Sequence, residues 1–141
     1  MGKKSDKKSK VATVAVPTEI WKTIPDDHDY PAAASYLGLC TDPDTAQKLA
    51  DTLKAADIVH HPAKDLLRAS HLSLLPKNDP AVQRDLDKVS AGEKLSPVLI
   101  IRGVVGKGVP ALIADGYHRV CASYYLSENE QIPCRIIDGI S

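Results

Sequence analysis

Phenylalanine is absent from this chain of 141 residues, and Trp and Tyr together make up only 4% of it. A hydrophobic core therefore has to be assembled from Leu, Ile, Val and Ala with a few Tyr rings. Cysteine is scarce too: Cys40, Cys121 and Cys134 are odd in number, far apart, and form no CxxC. That argues against a zinc ribbon or a disulfide scaffold, and leaves three reduced thiols in a cytoplasmic protein as the plain reading. Net charge is missing as well, with 18 basic against 18 acidic residues, so a whole-surface attraction to nucleic acid or membrane is not expected. No apolar run approaches the roughly 20 residues of a membrane span. The start, MGKKSDKKSK, is basic but leads into no signal-type apolar stretch, so secretion is not expected. A Walker-type phosphate loop is lacking too. The segment GVVGKGVP (103–110) has three glycines, but neither the Gly-x4-Gly-Lys-Ser/Thr spacing nor a helix after it.

What is present suits one domain with an appendage. Residues 1–12 read as a disordered basic tail, with five lysines in the first ten positions. Contact with DNA phosphates is the weaker reading of that tail. Residues 13–57 read as an N-terminal helical extension. YPAAASYLGL (30–39) is an Ala-rich helix that ends near Gly38. In the next, Asp42 caps the start, Pro43 takes the first position, and Ala46, Leu49, Ala50 and Leu53 form an apolar stripe. This pair is expected to pack as an accessory layer, or to meet a protein partner through residues 30–56. Trp21 and Tyr30 are expected to pin the segment rather than stack on a base.

Residues 58–141 predict an α/β (α+β) domain, a small mixed sheet with helices. A short strand, Ile58–His60, is interrupted by Pro62, and AKDLLRA is expected to make a single helical turn. Asp79-Pro80 repeats the cap-and-proline device ahead of a stripe of Val82, Leu86 and Val89, and Gly92 stops that helix. SPVLIIRG shows no polar alternation, as strands buried on both faces do. A hairpin then leads to ALIAD, a helix at Tyr117–Leu126, and a last strand, IPCRIID.

The chemistry concentrates at the corner Asp115-Gly116-Tyr117-His118-Arg119. A helix start leaves backbone N–H groups without partners and carries about half a positive charge. A glycine there admits close approach, and His118 and Arg119 add donors, so the corner can cradle an anion such as phosphate. Asp115 can cap the helix, orient His118 or hold a metal on the phosphate. The plainer reading is turn chemistry with a solvated His-Arg pair.

LIADGYHRVCASYYL…IPCRII, preceded by VQRDL…LSPVLIIRG, resembles the ParB/sulfiredoxin superfamily over roughly residues 58–138. The resemblance implies a nucleotide, ATP or another, with phosphates on the helix start and Gly116, His118 and Arg119 in the phosphate box. Tyr117 stands where sulfiredoxins carry their catalytic cysteine; a phenol cannot do that thiol's chemistry, so sulfiredoxin activity is not expected. The ParB-type box has Glu-Arg-Arg where this chain has Tyr-His-Arg, and no helix-turn-helix follows, which argues against a partitioning clamp. The motif is most similar to small ParB-like kinases of free serine, which carry Asp-Gly-His-His-Arg and Val-Gln-Arg-Glu-Leu. Their catalytic glutamate falls on Asp79, which is equally an ordinary N-cap.

Arg84 and Lys77 are the further phosphate candidates, each with a solvated alternative. Mg2+ travelling with the nucleotide is compatible, because it keeps most of its waters. No protein metal site is expected: His60 and His61 point to opposite faces of a strand, and His28 and His71 show no partners. The chain thus reads as a cytoplasmic nucleotide-binding protein. It would transfer a phosphoryl group of ATP to a small hydroxyl-bearing substrate, or hydrolyse it, with Asp79 as base and Asp115 positioning. The alternative is a non-catalytic nucleotide- or DNA-binding module that recruits a partner. In a third version the corner only finishes a helix.

Overall fold

Residues 19–139 are described by the computed structural model. Helix α1, Asp29–Leu37, runs into Gly38, whose N–H bonds to Ala34 O at 2.9 Å. Helix α2, Pro43–Ala55, starts as its sequence dictates: Asp42 accepts the Thr45 N–H at 2.9 Å, and Pro43 fills a position whose N–H would be unpaired anyway. Its stripe of Ala46, Leu49, Ala50 and Leu53 is buried throughout. Strand β1, Ile58–Pro62, leads directly into α3, Ala63–Ser70. Helix α4, Pro80–Ser90, begins at the second Asp-Pro and buries Val82, Leu86 and Val89. Strand β2, Val98–Arg102, is joined to β3, Leu112–Asp115, through a 3-10 turn at Val105–Lys107. Helix α5, Tyr117–Leu126, and strand β4, Gln131–Asp138, follow.

The result is an α+β fold around a mixed sheet in the order β1-β4-β2-β3. Strands β1/β4 and β2/β3 pair antiparallel, and β2/β4 pair parallel. Val98 and Ile100 join a core with α3, α4 and α5, while Leu99 and Ile101 join a second core with α1 and α2. None of the four is more than 5% exposed. A strand covered on both sides has no polar face, which explains the unbroken apolar run. The N-terminal helices are thus a structural layer, with Tyr30, Ala33, Leu37 and Leu53 packed on Leu99, Ile101 and Ile137. Each fully buried aliphatic chain of this kind contributes about 1.5–3 kcal/mol. The stripe that could meet a partner is already occupied by the sheet. Trp21 and Tyr30 are buried, as pins should be.

Two local readings need correction. AKDLLRAS makes two turns rather than one, because Ala63, Leu66, Leu67 and Ser70 recur at helical spacing and are all buried. Pro62 does not interrupt β1 but ends it; β1 is an edge strand, where a missing N–H is tolerated. His60 and His61 do face opposite ways, one lining a hollow with Trp21 and the other a hollow with Leu66. All three cysteines are free; Cys40 is exposed, and burial pushes the Cys134 thiol up to about 12. The basic tail expected over residues 1–12 lies outside the described residues. No helix among the described residues is long and apolar enough to cross a membrane.

Candidate functional site

The turn from β3 into α5 is made at Gly116, in the left-handed region at φ 113°. A side chain there would place its Cβ 2.9 Å from Val98 Cβ, so the glycine lets the corner lie against β2. Room for a ligand is thus not needed to explain it. No side chain caps α5, and Val120 N–H to Gly116 O, at 3.0 Å, is the bond that begins its ladder. The N–H groups of the preceding residues leave the positive end of the helix unneutralised by a cap.

Arg119 turns inward from this first turn. Its Nη2 lies 3.0 Å from Asp115 Oδ2, 3.3 Å from Pro97 O and 3.5 Å from Asp29 Oδ2. Asp29, in the first turn of α1, is only 3% exposed and also accepts the Ser96 hydroxyl. Asp115 therefore neither caps α5 nor orients His118; it holds Arg119. Burial pushes the Asp115 carboxyl above the usual carboxylate range, against the opposing pull of Arg119. Sequence alone presents Arg119 as a phosphate ligand, but much of its charge is met internally. Its Nε is buried without a partner among the described residues. The named contacts all use Nη2.

A polar hollow of about 240 Å3 lies between α4 and α5. Arg84, Asp85 and Lys88 enter it from α4, with Asp115, Gly116, His118 and Arg119 on the other side. Five expected residues are thus gathered: Arg84, Asp115, Gly116, His118 and Arg119. Three are not. Asp79 serves as the α4 cap, its Oδ2 accepting from Ala81 N at 3.0 Å and Val82 N at 3.1 Å. Lys77 is exposed and outside the hollow. Tyr117 turns the other way, donating its hydroxyl to Ser73 O, while Tyr125 donates to Leu75 O at 2.6 Å. The two tyrosines strap the segment before α4 onto α5. Burial, aided by Cys121 and Asp79, lifts the Tyr117 phenol and keeps it a donor. A base at Asp79 acting on phosphates in this hollow is not what the fold builds.

The hollow also contains groups the sequence reading overlooked. Asp85 is 9% exposed and makes no hydrogen bond or ion pair among the described residues. Burial raises its carboxyl, although Arg119, Lys88, His118 and Arg84 all pull it down. Lys88 is one helical turn after Arg84, a spacing that could have flagged a shared basic face. Because Asp85 binds protons more readily in the folded chain, its ionised form opposes folding above its folded pKa. That penalty fades as pH falls toward the value of the unfolded chain. Asp85→Asn is therefore expected to raise the melting temperature by a few degrees near pH 8, with the gain shrinking toward about pH 4. Thermal melts at both pH values check this; an equal gain at both would show that ionisation is not the cause.

A larger hollow, about 420 Å3, lies under the 103–111 hairpin, but its walls are chiefly apolar, with Val104, Val109 and Pro110 prominent. It lacks the clustered charge of the α5 corner. Compared with family models, curated proteins and solved structures, the chain gives no match.

Proposed function

We propose that this protein is a ParB/sulfiredoxin-like nucleotide-binding protein that seats the phosphate chain of ATP, or of another nucleotide, between α4 and α5. The observation that carries this reading is the convergence of Arg84, Lys88, His118 and Arg119 on the uncapped start of α5. Cations beside unpaired helix amides favour an anion through both charge and directed hydrogen bonds. The hollow suits a phosphate chain better than a whole nucleotide, so base and sugar would lie beyond its rim. The oxygen of Asp115 that does not meet Arg119 suits a Mg2+ ion arriving with the phosphates, which would supply charge neutralisation.

For phosphoryl transfer to a hydroxyl or to water, positioning and neutralisation do most of the work. Arg84 and Lys88 would neutralise the phosphates, and His118 would donate to a terminal oxygen. Asp85 replaces Asp79 as the carboxylate placed to accept the proton of an attacking hydroxyl, since it faces the hollow and makes no hydrogen bond or ion pair among the described residues. A second, non-catalytic reading has its own support: Asp79 and Asp115 are both engaged in holding the fold.

ATP with Mg2+ is expected to raise the melting temperature, and Arg84→Ala or His118→Ala to abolish that rise, both residues being exposed. Loss of product formation in Asp85→Asn, with the nucleotide shift retained, selects the enzyme. Retained binding without turnover in the unaltered chain selects the binding module. If ATP, ADP and CTP at millimolar concentration all leave the melt unchanged, both readings fall.

A further inference from the structure

Strand β1 closes one side of the sheet, and the direction of its backbone groups follows from its register with β4. Just beyond the strand, Ala63 N–H bonds to Glu130 O at 3.2 Å. Bonded pairs alternate along an antiparallel ladder, so Val59 and His61 turn their amides toward β4. His60 stands opposite Pro133, which has no N–H to give, and this agrees with the same alternation. Ile58 and His60 therefore point their N–H groups outward, together with the carbonyls of Ile58, His60 and Pro62. Among the described residues no strand lies on that side, and Val59 is 41% exposed. Such a row of donors and acceptors is a template for another strand.

The chain itself approaches this edge. Glu19, the first described residue, lines a hollow of about 370 Å3 together with Trp21, Ile58 and His60. Ahead of it, residues 1–10 carry five lysines, whereas Val11-Ala12-Thr13-Val14-Ala15-Val16 is uncharged and has four β-branched residues in six. Pro17 follows and bounds the run. Six residues match the five of β1 in length. Val16 is three residues before Glu19, a reach of about 10 Å, and neighbouring strands lie only about 4.8 Å apart. Trp21 gives a separate sign. It is 6% exposed, and its Nε1 is buried with no acceptor among the described residues. A buried indole N–H calls for a partner, and a backbone carbonyl passing the hollow would supply one.

We propose that residues 11–16 dock along the outer edge of β1 as a further strand, bonding to the outward N–H and C=O groups of Ile58 and His60. Tethering favours this occupant over a separate chain, because a segment attached a few residues away has a local concentration in the millimolar range. Docking there also covers a template that would otherwise invite pairing between copies. The edge is on the opposite side of the sheet from β3 and the α5 corner, so the inference stands whether or not nucleotide binds.

Amide hydrogen exchange of the full chain, followed by NMR, tests it. The His60 amide is expected to exchange at least ~10-fold more slowly than in an unstructured peptide. Thr13→Pro combined with Val14→Pro removes an N–H from whichever side of the segment faces β1. That variant should speed exchange at His60 at least ~10-fold. Val59 and His61, bonded to β4, should keep most of their protection and so report that the sheet is intact. Free exchange at His60 in the unaltered chain would leave the edge to another protein and overturn the proposal. Protection that survives both prolines would overturn it too. So would protection that falls on dilution, which would assign the edge to a second copy.

Discussion

Replacing Gly116 with alanine is expected to lower stability by about 3 kcal/mol, which for a chain of this size drops the melting midpoint by roughly 10 °C. Two effects combine. At φ 113° an L side chain is strained whatever surrounds it. Here the added methyl also runs into Val98, which is fully buried and backed by the α3–α5 core, so it has nowhere to move. The Arg119 guanidinium is 3.0 Å from the same point, so the ion-pair network would be displaced as well. A thermal melt decides it. A loss below about 1 kcal/mol would mean that β2 and α5 can separate at this corner, contrary to the packing described.

The second large effect is expected at Arg119. Arg119→Met keeps the volume and removes the charge, leaving Asp29 and Asp115 facing each other in a buried setting. Breaking a buried pair from one side typically costs about 3–5 kcal/mol, because the remaining charge is uncompensated. Because Arg119 and Asp115 keep a small exposure to water, the low end of that range, about 3 kcal/mol at neutral pH, is the expected loss. The pH dependence identifies the cause. Asp115 already sits above the usual carboxylate range in the folded chain. Without its cation it must rise further, so the folded variant takes up a proton at a higher pH than its unfolded form does. The deficit should therefore be largest at neutral pH and narrow on acidification, as the carboxyl is neutralised. Urea unfolding at about pH 5 and pH 8 measures both; a deficit that stays constant would point to lost packing instead.

Local devices were legible in the sequence, and long-range ones were not. The Asp-Pro starts of α2 and α4 need only neighbouring atoms, and both form as read. Strand β2 was readable because a short, unbroken apolar run bounded by Pro97 and Gly103 usually means a strand buried on both faces. Helix α3 was underestimated because Pro62 looked like an interruption, whereas the edge position of β1 makes it harmless.

The corner was found but its wiring was not. Asp115-Arg119 is a four-residue spacing that could have been noticed. Asp29, 90 positions before Arg119, meets it only because α1 folds over the sheet. Asp79 carries the same Asp-Pro signature whether it caps or catalyses, so spacing could not separate the two. Asp85 was hidden beside Leu86, next to the Arg84 that drew attention as a phosphate candidate.

The place of β4 in the sheet bears on how the chain acquires its shape during synthesis. Residues 131–138 are inserted between two strands made much earlier, bonding to 58–62 on one side and 98–102 on the other. Until they leave the ribosome, the first strand has no neighbour among the described residues and the isoleucines of the second lack a wall. A nascent chain stalled before Gln131 would thus hold the five described helices around an open seam, a state prone to chaperone binding and to association with its own kind.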